Sequence, residues 1–129
     1  MTEGLKGDVL LVDDEEQFLN VLAKRLEKRG LTVETAENGE KAIDKVKSRD
    51  FDAVILDLFM PGMDGMETLK RLKKENPDLS IIILSGQATV EKSVEVMKMG
   101  ASDLMEKPVD LNKLLEKIAE TRRKKGSSH

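Results

Sequence analysis

The chain has no cysteine, no tryptophan and no tyrosine, and its single histidine, His129, is the last residue. Without cysteine there is no disulfide framework, no thiol nucleophile and no thiolate metal site. His129 closes a Gly-Ser-Ser-His run that reads as an appended tail (126–129), leaving residues 1–125 as one domain without histidine chemistry. The only aromatics are Phe18, Phe51 and Phe59, too few for base-stacking platforms. No apolar run approaches membrane-spanning length, and Met1 to Gly7 lacks the apolar centre of a signal peptide. A soluble, cytoplasmic protein without membrane contact is therefore expected. Nor does one sign of charge dominate. A net charge of −3 argues against nucleic-acid binding as the main task. The basic run Arg122-Arg-Lys-Lys125 is expected just beyond the last helix, complementing its carboxyl terminus.

What is present alternates. Short apolar runs, Val9-Leu-Leu-Val12, Ala53-Val-Ile-Leu56 and Ile81-Ile-Ile-Leu84, read as buried strands, with weaker strands at 31–36 and 102–106. Between them the apolar period becomes helical: Phe18, Leu19, Leu22, Ala23 and Leu26; Ala42, Ile43 and Val46; Met66, Leu69 and Leu72. A fourth helix, Thr89 to Met99, is expected to turn Val90, Val94 and Met97 inward, and a fifth carries Leu111, Leu114, Leu115, Ile118 and Ala119. Asp14, Asn38 and Asp110 are placed to cap helices, and Gly30 and Gly100 to close them. Five strands alternating with five helices predict an α/β fold, a flavodoxin-like doubly wound parallel sheet of order 2-1-3-4-5.

In such a sheet the carboxyl ends of the strands share one rim, where ligands bind. Asp13-Asp14, Asp57, Ser85 and Lys107 all fall there. Grouped carboxylates repel unless a cation sits among them, and oxygen donors suit Mg²⁺, with Mn²⁺ as a substitute. Asp57 beside a divalent cation, an ammonium and a hydroxyl is a site for accepting a phosphoryl group. No base is needed, since a carboxylate is already ionised at neutral pH.

Asp13-Asp14, Asp57 with Met60-Pro61 and Asp64-Gly65, Ser85-Gly86, Gly100-Ala101 and Lys107-Pro108 resemble the receiver domain of two-component response regulators, from about Val9 to Ala119. The resemblance implies that Asp57 is phosphorylated by a sensor histidine kinase or histidine phosphotransfer protein. It implies Mg²⁺ on Asp14 and Asp57, Asp13 directly or through water, and the Phe59 carbonyl. Lys107 would pair with the phosphoryl group, backbone N–H groups of Phe59 and Gly86 would cradle it, and Ser85 would be the switch residue. Leu104 stands where the family usually has Tyr or Phe, so the coupling from Ser85 outward is expected to be weaker or to run through the fourth helix. Gln87 lies where side chains modulate the attacking water.

Kinase docking is implied on the first helix. Output to an effector, an output domain or a phosphorylation-linked homodimer is implied on the face of the fourth helix, fifth strand and fifth helix. Residues 85–108 look most like receivers of bacterial enhancer-binding transcription activators. Met60, Met63, Met66, Met97, Met99 and Met105 suit adaptable surfaces, with Met66 and Met97 more in keeping with core filling. A Mg²⁺-dependent phosphatase acting through an aspartyl-phosphate would need a second acid two residues after Asp57, where Phe59 stands. A flavin or nucleotide module would need Gly, Ser or Thr after the first strand, where four acids stand.

Overall fold

The computed structural model describes residues 6–58, 65–86 and 89–127, with side chains as far as Thr121. Five strands, β1 (Asp8–Val12), β2 (Thr32–Ala36), β3 (Ala53–Asp57), β4 (Ile81–Ser85) and β5 (Asp103–Glu106), alternate with five helices. These are α1 (Glu16–Lys28), α2 (Gly39–Ser48), α3 (Gly65–Glu75), α4 (Val90–Lys98) and α5 (Leu111–Ser127). All pairings are parallel and the order is β2-β1-β3-β4-β5, as the alternation predicts.

Strand side chains alternate between faces, and here both faces are apolar. Leu10, Val12, Val54, Leu56, Ile81 and Ile83 meet Ala42, Leu69, Leu72 and Val96 of α2, α3 and α4. Val9, Leu11, Ala53, Ile55, Ile82 and Leu84 meet Leu19, Leu22, Leu26, Leu114, Leu115 and Ile118 of α1 and α5. The sheet is thus covered on both sides, which leaves its rim as the place for polar chemistry.

Helix ends follow local signals in most cases. Asn38 caps α2 by accepting from the Lys41 amide, and Asp110 accepts from the Lys113 amide. Gly30 and Gly100 adopt φ of 100° and 101°, the left-handed conformation that ends a helix most cheaply in glycine. The basic run from Arg122 does not follow the last helix but lies within it, since α5 continues to Ser127.

The inward face of α4 differs from expectation. Val90, Val94 and Met97 are 82%, 48% and 47% exposed, and Val96 is the buried residue. Met97 is therefore surface, while Met66 packs against the core. Two apolar stripes compete on this short helix, and the one through Val96 and Met99 runs into buried Ala101, whose amide donates to the Val96 carbonyl at 3.0 Å. The chain's re-entry into β5 selects that stripe.

Candidate functional site

Strand register builds the site. Val12 pairs with Leu56 and Asp57 with Leu84, so Asp13 stands level with Asp57 and Ser85 one residue further along. Ser85 pairs with Glu106, and Lys107 follows. Alternation then sorts the side chains. Asp13 continues Val9 and Leu11, Asp57 continues Ala53 and Ile55, and Lys107 continues Met105, all on the side of α1 and α5. Ser85, buried, continues Ile81 and Ile83 on the side of α3 and α4.

The structure brings three carboxylates and one ammonium together. Asp13, Asp14 and Asp57 each offer an oxygen within 4.8 Å of the others. Lys107 Nζ donates to Asp13 Oδ2 at 2.8 Å, and lies 3.6 Å from Asp57 Oδ1 and 3.8 Å from Glu15 Oε1. Asp13 and Asp57 are buried, whereas Asp14 is exposed. Burial alone would lower the Lys107 pKa, but the hydrogen bond and charge of Asp13, then the charges of Asp57 and Glu15, outweigh it and hold the pKa above the ordinary lysine value. One ammonium among three carboxylates still leaves excess negative charge. The donor set, all carboxylate oxygen, is the kind that suits a hard divalent cation.

Asp14 does not cap α1, contrary to expectation. The residue at the cap position is Glu15, whose side chain makes no capping bond, and its amide donates to Asp13 Oδ1 at 2.9 Å. An Asp can bond a backbone N–H two residues on, and Asp13, at the strand end, is the residue spaced to do so. Asp13 therefore uses one oxygen on the helix entry and the other on Lys107, leaving Asp14 turned to solvent.

Gly86 is exposed, with open space where a side chain would begin. Leu104 is half-buried, paired with Ile83 on the same face as Ser85. Phe59, Met60, Met63, Asp64 and Gln87 lie outside the described residues. Two neighbours of Lys107 escaped sequence reasoning in this role. Glu15 stands in the sequence as one of four acids after the first strand and Phe18 as part of an apolar helix face, yet Phe18 places its ring centroid 4.4 Å from Lys107 Nζ and Glu15 its Oε1 3.8 Å away. The available signal was spacing: Phe18 falls one turn after Asp14 on the α1 face that meets α5.

Comparison with known proteins places these residues in context. The sequence profile of the response regulator receiver domain matches residues 9–119. Among curated proteins, the transcriptional regulatory protein ZraR of Klebsiella oxytoca is 39% identical over 117 residues, covering 91% of this chain and 26% of that protein. The chain thus spans about a quarter of the length of this transcriptional regulatory relative. Among solved structures, a Francisella response regulator receiver domain superposes with a TM-score of 0.87 at 27% identity, covering 92% of this chain and 98% of that one. A Burkholderia pseudomallei response regulator, solved with a phosphorylated aspartic acid, calcium ion and citrate, gives 0.80 at 28% identity, covering 92% and 72%.

Proposed function

This chain belongs to the response regulator receiver domain family, and we propose that it is a phosphoacceptor switch of a two-component system, with Asp57 the residue phosphorylated. The observation that carries this reading is the grouping of buried Asp57 with Asp13, Asp14 and Lys107 at one rim of the sheet. The donor would be a phosphohistidine on a cytoplasmic sensor kinase or histidine phosphotransfer protein. An oxygen of Asp57 forms the new bond to phosphorus as the phosphorus–nitrogen bond breaks, and the departing imidazole nitrogen keeps the electron pair. Lys107 would face the transferring oxygens as a movable positive charge. Asp14, Asp57 and the Phe59 carbonyl would hold Mg²⁺, or Mn²⁺ in its place, which when bound neutralises charge on the phosphoryl oxygens. Asp13, with both oxygens already accepting from the protein, is suited to reach the ion through water. The phosphorylated aspartate of the Burkholderia relative supports the same chemistry here.

Ser85 and the amides of Phe59 and Gly86 would receive the phosphoryl group, and Leu104, beside Ser85 on the same face, would repack as Ser85 moves. The change would be read at the face of α4, β5 and α5 by an effector, an output domain or a second copy. Two features support that surface: the exposed Val90, Val94 and Met97, and a groove of about 610 Å³ along β5 and α5 lined by Leu104, Glu106 and Lys117. This regulatory reading is favoured over the phosphatase one, because Phe59 occupies the position of the second acid.

Incubation with a small phosphodonor and Mg²⁺ should add one phosphoryl mass to the wild type and none to Asp57→Asn. Lys107→Ala should remain folded and label more slowly. Equal labelling of Asp57→Asn would overturn the assignment.

A further inference from the structure

The Lys107 ammonium has two kinds of neighbour. Asp13, Asp57 and Glu15 place carboxylate oxygens between 2.8 and 3.8 Å away. The Phe18 ring lies beneath it, 4.4 Å from Nζ to centroid, within the range of a cation–π contact. Phe18 is itself anchored. It packs against the α1/α5 core cluster and lines a cleft of about 520 Å³ with Val21, Leu22, Pro108 and Val109.

Lysine carries its charge on a flexible four-carbon stem. Three anions compete for this one, and they are not equivalent: Asp13 and Asp57 belong to the site, whereas Glu15 is a solvated rim residue with its side chain 69% exposed. Rotation of that stem would take Nζ away from Asp57. The Phe18 ring narrows the range of positions open to Nζ, because its attraction depends on the ammonium staying over its face. The amphipathic pattern of α1 asks only for an apolar group here, and Leu19, Leu22 and Leu26 already bury the helix.

Resting on the phosphoacceptor reading, we propose that Phe18 is a positioning residue for phosphotransfer, its ring restricting the Lys107 ammonium to positions beside Asp13 and Asp57. It touches neither phosphorus nor the reacting oxygen; its effect passes through Lys107.

The test is a double-mutant cycle with labelling by a small phosphodonor as the rate measured. Phe18→Leu keeps apolar bulk and removes the ring, and should slow labelling about three- to tenfold. Phe18→Tyr keeps the ring face and should stay within about twofold of wild type. In the Lys107→Ala background the Phe18→Leu effect should vanish. In the unphosphorylated, metal-free protein, the Lys107 ε-methylene proton resonances should lose their ring-current shift in Phe18→Leu and keep it in Phe18→Tyr. A Phe18→Leu effect that persists without Lys107, or the absence of any ring-current shift in the wild type, would overturn the proposal. Failure of the wild type to label at all would instead remove the phosphoacceptor reading, while the resonance shifts would still report whether the ring holds Lys107.

Discussion

At the scale of single residues, the backbone that follows Asp57 is held by a contact only glycine permits. Gly65, the first residue of α3, donates its amide to the Leu58 carbonyl at 2.9 Å, and a Cβ built on it would stand 2.3 Å from that oxygen. The obstruction is backbone and cannot rotate away, so Gly65→Ala must move the chain next to Asp57. A loss of about 1–3 kcal/mol is expected in urea unfolding, together with slower labelling of Asp57. Unchanged unfolding would mean that the helix start yields freely. Much of the site was legible at this scale. Asp57 at the end of an apolar run, Asp13-Asp14 after another and Lys107 before a proline mark strand ends, and parallel strands bring their ends together. Parity was less legible. That Asp13 rather than Asp14 enters the α1 turn depends on which carboxylate faces the helix, and the one-residue difference appears only once register is known.

At the scale of elements, α4 is the outlier. Its nine residues bury Val96 alone, whereas α1 buries Leu19, Leu22 and Leu26. Apolar residues at Val90, Val94 and Met97 have helical spacing, so the sequence supports two inward faces, and only the tertiary path into β5 chooses between them. A helix with so little buried surface should open locally at low cost. Backbone amides of α4 are expected to exchange with solvent faster than those in the middle of α1 or α3, and equal protection would contradict this. Val96→Ala should cost about 1–3 kcal/mol, while Met97→Lys should stay within about 0.5 kcal/mol. Reversal of these two costs would restore the face expected from periodicity. The other helices bury the apolar stripe expected of them, because each has a single one to bury.

Across the whole molecule, charge follows the direction of the chain. Glu16, Glu40, Glu67 and Glu91 occupy first turns, and Lys28, Lys47, Lys74 and Lys98 occupy last turns, each complementing its helix dipole. Because the helices run antiparallel to the strands, these acidic first turns lie at the same end of the sheet as Asp13, Asp14 and Asp57. The edge strand β2 is fastened to α2 by Glu34, which accepts from Lys45 at 2.8 Å and from Arg49 at 3.0 Å, while Arg49 also meets Asp8 at 3.2 Å. The Lys45 hydrogen bond first, then its charge and that of Arg49, hold the Glu34 carboxyl below its ordinary 4.5. Its contribution to stability is therefore fully present above pH 4.5 and is lost as pH falls through the lower folded value. Wild type should exceed Glu34→Gln in thermal midpoint at neutral pH, with the gap closing as the solution is acidified below that point. A gap that widens on acidification would contradict the assigned direction.

The central claim is that this rim gathers three carboxylates and a lysine so that one of them, Asp57, takes a phosphoryl group when a divalent cation is supplied. Site mapping of the aspartyl-phosphate by mass spectrometry, after treatment with a small phosphodonor in Mg²⁺ and in excess chelator, tests it most directly. The expected result is modification confined to Asp57 and dependent on Mg²⁺. Modification at another residue, or equal modification of Asp57 in chelator, would contradict it.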